Sequence, residues 1–469
     1  MLVDLYQSPD VRRRYSANME HVNILRDYGL FDAKVPRYTS YPPANRFVPN
    51  VGARFQKDWL SQTAPKKPVS VYVHIPFCRR LCWFCACRTQ GTPTLHPVDG
   101  YLADLIAEIE TVAGILPHEV PMGRLHLGGG TPTLLSVEQM TRLLDAIENR
   151  FAKSDNYDFS VEVDPTEAAP ALLDLLGERG MKRASIGVQD FDLKVQEAIG
   201  RLQSFEKTKQ VADRLRLIGV QSLNIDLLYG LPFQTAKTLV RTLEQVSVLS
   251  PERIALYGYA HVPHMSKRQV MIPEDELPDP LERFEAAQIS KEFLVRDGYL
   301  PLGIDHFVKE SDSLAVAAGQ GKLRRSFQGY TDDPCDTLIG FGASAISRFP
   351  NGYIQNAVAT AAYQQRARDH GMAGHKGYVI DEEDLLVADV IDQVMCQGSL
   401  DETKLLNDHA RFAAKIPSLM QELVTMFPKA LERTGSLVKF QPGMEALARV
   451  VAAHFDRALH EDHIHSAAI

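Results

Sequence analysis

No apolar run in the 469-residue chain approaches the length of a membrane span, which excludes a helical membrane protein. The opening residues, MLVDLYQSPDVRRRYS, lack a signal-peptide core. An excess of cations is lacking too. The 51 Lys and Arg face 59 Asp and Glu, and a net charge of −8 argues against a protein whose main task is to grip nucleic acid. No repeat of solenoid period and no low-complexity segment occurs. What remains is ordinary for a soluble globular protein, with 45% hydrophobic and 23% charged residues. The length exceeds one ordinary domain, so a large catalytic domain with an appendage is expected.

Cysteine is scarce, six residues in all, yet four of them fall between Cys78 and Cys87. Packing does not explain such crowding, and a disulfide between residues two or three apart is strained. Thiolates gathered on one loop are what a soft metal site needs. The spacing C-x3-C-x2-C of Cys78, Cys82 and Cys85 is one compact run, with only the lone Cys335 and Cys396 downstream. Structural zinc usually takes two ligand pairs separated by an insert, whereas iron–sulfur clusters accept compact runs. Spacing favours a cluster over zinc and leaves Cys87 open as a fourth ligand. Free thiols belong to a reducing compartment, so the expected location is the cytoplasm.

From Val69 the pattern alternates. Strands are predicted at 69–74, 124–127, 159–163, 183–188, 222–228 and 253–259, with helices between them. Alternation of this kind means a parallel sheet, and six units predict a partial, open barrel. The pattern weakens after Ala260. One more strand is expected within 302–308, a loop over 319–334 and a helical C-terminal domain from about residue 360. Residues 8–26 read as helical, and the proline-rich 35–44 reads as an extended segment.

Ligands bind at the C-terminal ends of barrel strands. The cysteines follow the first strand and Gly128-Gly129-Gly130-Thr131 the second. Glu162 closes the third, which in isolation also fits an edge carboxylate. Gln189 ends the fourth and Arg201 follows it; a turn residue and a solvated helix charge are the plain alternatives. Asp226, between Ile225 and Leu227, is costly to bury without a partner and has the strongest independent claim. The sixth strand ends near Ala260, His261 and His264, histidines more readily read as structural than as metal ligands.

The string Tyr72-Val73-His74-Ile75-Pro76-Phe77-Cys78, continued by Cys82, Phe84, Cys85 and Cys87, resembles the signature of radical S-adenosylmethionine (AdoMet) enzymes. More narrowly it resembles the oxygen-independent coproporphyrinogen III oxidases of haem biosynthesis. Arg37-Tyr38-Thr39-Ser40-Tyr41-Pro42 is similar to that family's N-terminal segment, which helps cover the active site. A related haem-chaperone branch typically lacks both this segment and Cys87; it is the alternative reading, with a zinc-binding module third. Trp83 stands where that family commonly has tyrosine.

The resemblance implies a partial (βα)6 radical-AdoMet barrel over 68–359, an N-terminal extension over 1–67 and a helical domain over 360–469. It implies that Cys78, Cys82 and Cys85 hold a 4Fe–4S cluster, their sulfurs converging on one point. It also implies two AdoMet molecules. Tyr72, Gly129, Glu162 and Ile346 match positions contacting the cluster-bound one. Phe84, Gly130, Thr131, Gln189, Arg201, Asp226 and Ala260 match those contacting the second, with no catalytic residue beyond this set. A 5′-deoxyadenosyl radical would take hydrogen from a propionate β-carbon. Loss of CO2 and one electron then leaves a vinyl group, and two rounds turn coproporphyrinogen III into protoporphyrinogen IX. The expected partners are that substrate and a reduced donor such as flavodoxin or ferredoxin, with the protein a monomer. Arg37, Lys309, Arg324 and Arg325 are candidate partners for the substrate carboxylates, and His74 either tunes the cluster or holds the loop. On this reading Tyr38 and Tyr41 lie on the barrel mouth, and deleting residues 1–45 should spare the cluster.

Overall fold

A computed structural model describes residues 20–327, 329–457, 459 and 468–469. The part of the predicted 8–26 helix before residue 20 lies outside them. Six parallel strands stand side by side in sequence order: β1 (Val69–Ile75), β2 (Met122–Gly129), β3 (Lys153–Val163), β4 (Arg183–Gln189), β5 (Ser222–Tyr229) and β6 (Arg253–Gly258). Between them run helices α1 (His96–Ile115), α2 (Val137–Glu148), α3 (Pro170–Glu178), α4 (Leu193–Ala198), α5 (Phe205–Leu217) and α6 (Ala236–Leu249). The expected six-unit α/β architecture is present.

The strands alternate in a way that builds a site. On β3, β4 and β5 the residues Phe159, Val161, Ala184, Ile186, Leu223 and Ile225 are buried in the main core. Their neighbours Ser160, Glu162, Ser185, Asn224 and Asp226 line the lumen instead. Successive strand side chains point to opposite faces, so one sequence period supplies an apolar layer under the helices and a polar interior.

The sheet continues beyond the six strands. The region expected as one strand within 302–308 is an antiparallel pair, β7 (Leu300–Leu302) and β8 (His306–Val308), and β8 pairs with β6. On the other side β9 (Leu338–Phe341) runs parallel to β1, followed by antiparallel β10 (Ile346–Phe349), β11 (Gly352–Asn356) and β12 (Gly374–Val379). The 319–334 stretch, expected as loop, carries a short hairpin of Arg324–Ser326 with Gly329–Thr331.

These pairings move the predicted boundary at 360. The helix Thr360–His370 buries Tyr363 and Ala367 in the barrel core, and β12 belongs to the main sheet. A second core begins after β12, around α-helices Glu382–Gln397, Ile416–Met426 and Ala448–Phe455. It is not purely helical: Ser399–Asp401, Leu431–Thr434 and Leu437–Phe440 form a small antiparallel sheet. The N-terminal extension is also divided. Val22, Leu25, Leu30, Phe31, Val35, Tyr38 and Tyr41 are buried in this second core. Val48–Pro49 pairs with β12, and the helix Val51–Ser61 buries Trp59 and Leu60 in the first core.

One buried carboxylate braces the β9–β10 turn. Glu108 on α1 accepts hydrogen bonds from Gly342 N (2.9 Å), Asn356 Nδ2 (2.9 Å) and Tyr363 OH (2.8 Å). Burial outweighs these donors and pushes its carboxyl up from 4.5 to about 7. A raised carboxyl pKa means that the folded state holds the proton more tightly, so stability is full below about 4.5 and declines as pH rises towards about 7. We expect thermal midpoints to fall over that window in the wild type, and the Glu108→Gln protein to lose this part of the decline. Identical pH profiles for the two proteins would refute the assignment.

Candidate active site

The cysteine loop leaves the C-terminal end of β1. Cys78, Cys82 and Cys85 are all free thiols. Thr131 Oγ1 donates to Cys78 Sγ at 3.5 Å, and Arg201 Nη1 donates to Cys82 Sγ at 3.4 Å. Burial pushes the Cys78 thiol up to about 11, against the Thr131 hydrogen bond, with Cys85 and Cys82 close enough to add to the shift. The Cys87 thiol hydrogen-bonds Cys85, which lowers Cys85 and raises Cys87. Among the described residues no three His, Cys, Asp or Glu side chains gather as ligands of a single metal ion. A 4Fe–4S cluster is held by Cys thiolates from compact runs of this kind. The donor set suits such a group: free thiols on one loop, with a buried guanidinium and a hydroxyl donating to sulfur.

Outer contacts fix the loop. Ser266 Oγ donates to Cys85 O, and Gln269 Nε2 donates to Phe84 O and to Ala260 O. Phe84 and Ala260 are thus drawn together across one glutamine. His74 bridges strand and loop: Nε2 hydrogen-bonds Arg88 O at 3.1 Å and Nδ1 hydrogen-bonds Tyr72 OH at 2.9 Å. A carbonyl only accepts, so the proton sits on Nε2 and Tyr72 OH donates to Nδ1. Burial holds this histidine below its usual range. This supports the loop-holding reading of His74.

The glycine run wraps the strand end closely. A Cβ at Gly130 would stand 2.6 Å from Phe77 O, and Gly129 has φ +109° against the His74 ring. Only glycine fits this approach. Gly129 N donates to Glu162 Oε2 at 3.0 Å, and His126 Nε2 lies 3.4 Å from Oε1. Desolvation would raise the Glu162 carboxyl, but the His126 and Gly129 hydrogen bonds hold it below the usual range. Glu162 therefore stays ionised with room to accept another donor. Asp226 is held by neutral groups, Ser185 Oγ at 2.8 Å and Asn224 Nδ2 at 2.7 Å, and burial pushes it up.

Tyr72, Glu162 and Asp226 line one lumen cavity of about 320 Å3. Thr131 and Arg201 stand at the sulfurs. Arg201 also donates to Gly187 O, and Asp164 lies 3.4 Å away. Gln189 closes β4 with φ +71°. Ile346 opens β10 opposite Gln355, reached through the turn that Glu108 braces. Sequence reasoning passed over His126, which stacks on Tyr72 with ring centroids 5.7 Å apart. Its place two residues before Gly128 on a lumen-facing strand was the available signal.

A second cavity of about 580 Å3 adjoins the lumen, with His306 on the wall of both. Six cationic side chains line it, Lys34, Arg37, Arg283, Lys291, Arg325 and Arg449, against two acidic ones, Asp305 and Glu445. Arg37 and Arg325 thus lie where a carboxylate-rich ligand would. The other two candidates do not. Lys309 is tied to Ser250 O and Glu252, beside the starting end of β6, and Arg324 faces Asp336. Their side chains serve surface ion pairs.

The Glu162 geometry carries a prediction. Glu162→Gln should keep the Gly129 hydrogen bond and the iron, but lose a charged acceptor for an ammonium group. AdoMet binding is expected to weaken about tenfold to a hundredfold, the range for a hydrogen bond to a charged group. Calorimetry returning wild-type affinity would reduce Glu162 to a brace for Gly129.

The Radical SAM superfamily profile matches residues 72–246, which span β1 to α6. The oxygen-independent coproporphyrinogen III oxidase of Cereibacter sphaeroides is 47% identical over 443 residues, 93% of this chain and 97% of the relative. That of Paracoccus denitrificans is 45% identical over 451 residues, 96% of this chain and 100% of the relative. Among solved structures, the Escherichia coli coproporphyrinogen III oxidase, described as a radical SAM enzyme, superposes with a TM-score of 0.86 at 34% identity, covering 91% of this chain and 100% of that one. With near-full-length identity at this level, the chain belongs to the oxygen-independent coproporphyrinogen III oxidase family of the radical SAM superfamily.

Proposed function

We propose that this protein is an oxidoreductase of haem biosynthesis that decarboxylates two propionates of coproporphyrinogen III to vinyl groups. The observation that carries the reading is the pairing of two spaces: a polar lumen beside the cysteine loop and an adjoining cationic cavity. The first suits AdoMet and the second suits a substrate with four carboxylates. When bound, the 4Fe–4S cluster and AdoMet supply the one-electron chemistry that removes a hydrogen atom from a propionate β-carbon.

The chain's own groups bind and orient. Cys78, Cys82 and Cys85 hold the cluster in this reading, with Arg201 and Thr131 donating to sulfur. Glu162 takes the amino group of the first AdoMet, with Tyr72, Gly129 and Ile346 around it. Phe84, Gly130, Thr131, Gln189, Arg201, Asp226 and Ala260 take a second AdoMet. Arg37 reaches the cavity from the N-terminal segment, where its Nη2 donates to Gly258 O at 2.7 Å at the end of β6. That segment closes one side of the cavity and keeps water from the reacting carbon. Flavodoxin or ferredoxin suits the donor role, and the working form is a cytoplasmic monomer. No described helix is long and apolar enough to cross a membrane.

The test is an anaerobic assay of reduced, cluster-reconstituted protein with AdoMet and coproporphyrinogen III. Protoporphyrinogen IX, with methionine and 5′-deoxyadenosine, is the expected outcome. Cleavage of AdoMet without any vinyl product would overturn the substrate assignment.

A further inference from the structure

The cationic cavity contains one group whose position asks for a ligand. Arg325 sits on the short hairpin, 6% exposed, with its guanidinium carbon 4.5 Å from the centre of the Tyr330 ring. Its Nη2 donates to Asp305 Oδ2 at 3.4 Å, a long contact. Its Nε and Nη1 are buried with no hydrogen-bond partner. A buried cation with unmet donors is costly. Asp305 does not neutralise it freely, since His306 Nδ1 lies 2.7 Å from its other oxygen. Arg325, Asp305 and His306 thus form a hydrogen-bonded chain from the cavity to the edge of the lumen, with two Arg325 donors still unmet.

We propose that Arg325 is the anchor for a carboxylate, specifically a substrate propionate that the reaction keeps. This rests on the coproporphyrinogen reading above. A guanidinium in a desolvated wall stabilises a carboxylate most while its charge is present. It would oppose departure of that same group as CO2, because the ground state gains more than the transition state. A reacting propionate is better placed towards the lumen, where AdoMet lies, and a retained one on Arg325. Two retained carboxylates are common to the substrate and to the singly decarboxylated intermediate. One anchor thus holds the macrocycle through both rounds. Tyr330 locks the guanidinium plane, and its OH donates to Met395 O at 2.7 Å, joining the anchor to the second core.

The experiment is a fluorescence titration of reconstituted protein with two stable probes, coproporphyrin III and its neutral tetramethyl ester. Wild type should bind the tetra-acid at least about tenfold more tightly than the ester, as charge-assisted pairing requires. Arg325→Met should erase most of that preference, and Arg325→Lys should restore part of it, with iron content verifying the fold of each. Equal binding of acid and ester by the wild type overturns the anchor without reference to any variant. So does an unchanged preference in an iron-replete Arg325→Met protein, which would assign the buried donors to water. Failure of the enzymatic reading would show differently, as wild-type protein that binds the tetra-acid yet makes no vinyl product.

Discussion

Alanine at Cys78, Cys82 or Cys85 is expected to give a colourless, inactive protein, while Cys87→Ala stays brown. Cluster ligation through three thiolates tolerates no loss, and the three positions differ in their surroundings without differing in outcome. Cys78 is held by Thr131, Cys82 by Arg201 and Cys85 by Cys87. Cys87 contributes a hydrogen bond to Cys85, so its removal should disturb the cluster rather than dismantle it. Iron and sulfide content and the visible spectrum of anaerobically purified variants decide the matter. A colourless Cys87→Ala protein beside a brown Cys85→Ala protein would reverse the assignment of the two.

Deletion of residues 1–45 is expected to abolish folding of the second core, not merely to open the active site. The deletion strips Val22, Leu25, Leu30, Phe31, Val35, Tyr38 and Tyr41 from that core. At about 1.5–3 kcal/mol for each fully buried apolar side chain, the loss is on the order of 10 kcal/mol or more. That matches the whole stability of a typical domain, about 5–15 kcal/mol. Tyr38 OH also donates to Asp456, and Arg449 donates to Val35 O and Pro36 O. The expectation from sequence, that deleting residues 1–45 spares the cluster, therefore gives way. Expression of the truncated chain should yield aggregated or protease-sensitive material. A soluble truncated protein with a cooperative thermal transition like the wild type would show that the segment is dispensable to the core. The point variant Arg37→Ala isolates the cavity side of the segment, since Arg37 meets Gly258 O rather than the core.

What the sequence made legible is what local periodicity encodes. Alternation along β3, β4 and β5 separates lumen from core, so Glu162 and Asp226 were identifiable two residues apart from other polar neighbours. The cysteine loop and the glycine run were identifiable because each lies where a strand stops. The errors share a different origin. Lys309 and Arg324 are charges in suitable-looking stretches, and only the tertiary pairing reveals that they face Glu252 and Asp336. Tyr38 and Tyr41 read as a cover for the barrel mouth, yet they are 2% and 6% exposed in the second core, more than 400 residues from Asp456 in the case of Tyr38. The small sheet at 399–440 escaped notice because three- and four-residue strands leave no readable period. His126 was missed because a lone histidine on a strand has no motif of its own.

The union of the N-terminal segment with the last helices also sets an order in time. Ribosomal synthesis delivers Val22–Tyr41 long before the helix Ala448–Phe455. At roughly 5–20 residues per second the early segment waits tens of seconds for its partners. The parallel strands and the cysteine loop, with the 266–269 segment that secures it, emerge well before that closure. The nascent protein can thus hold a formed cysteine loop while the cationic cavity still lacks Lys34 and Arg37 on one side and Arg449 on the other.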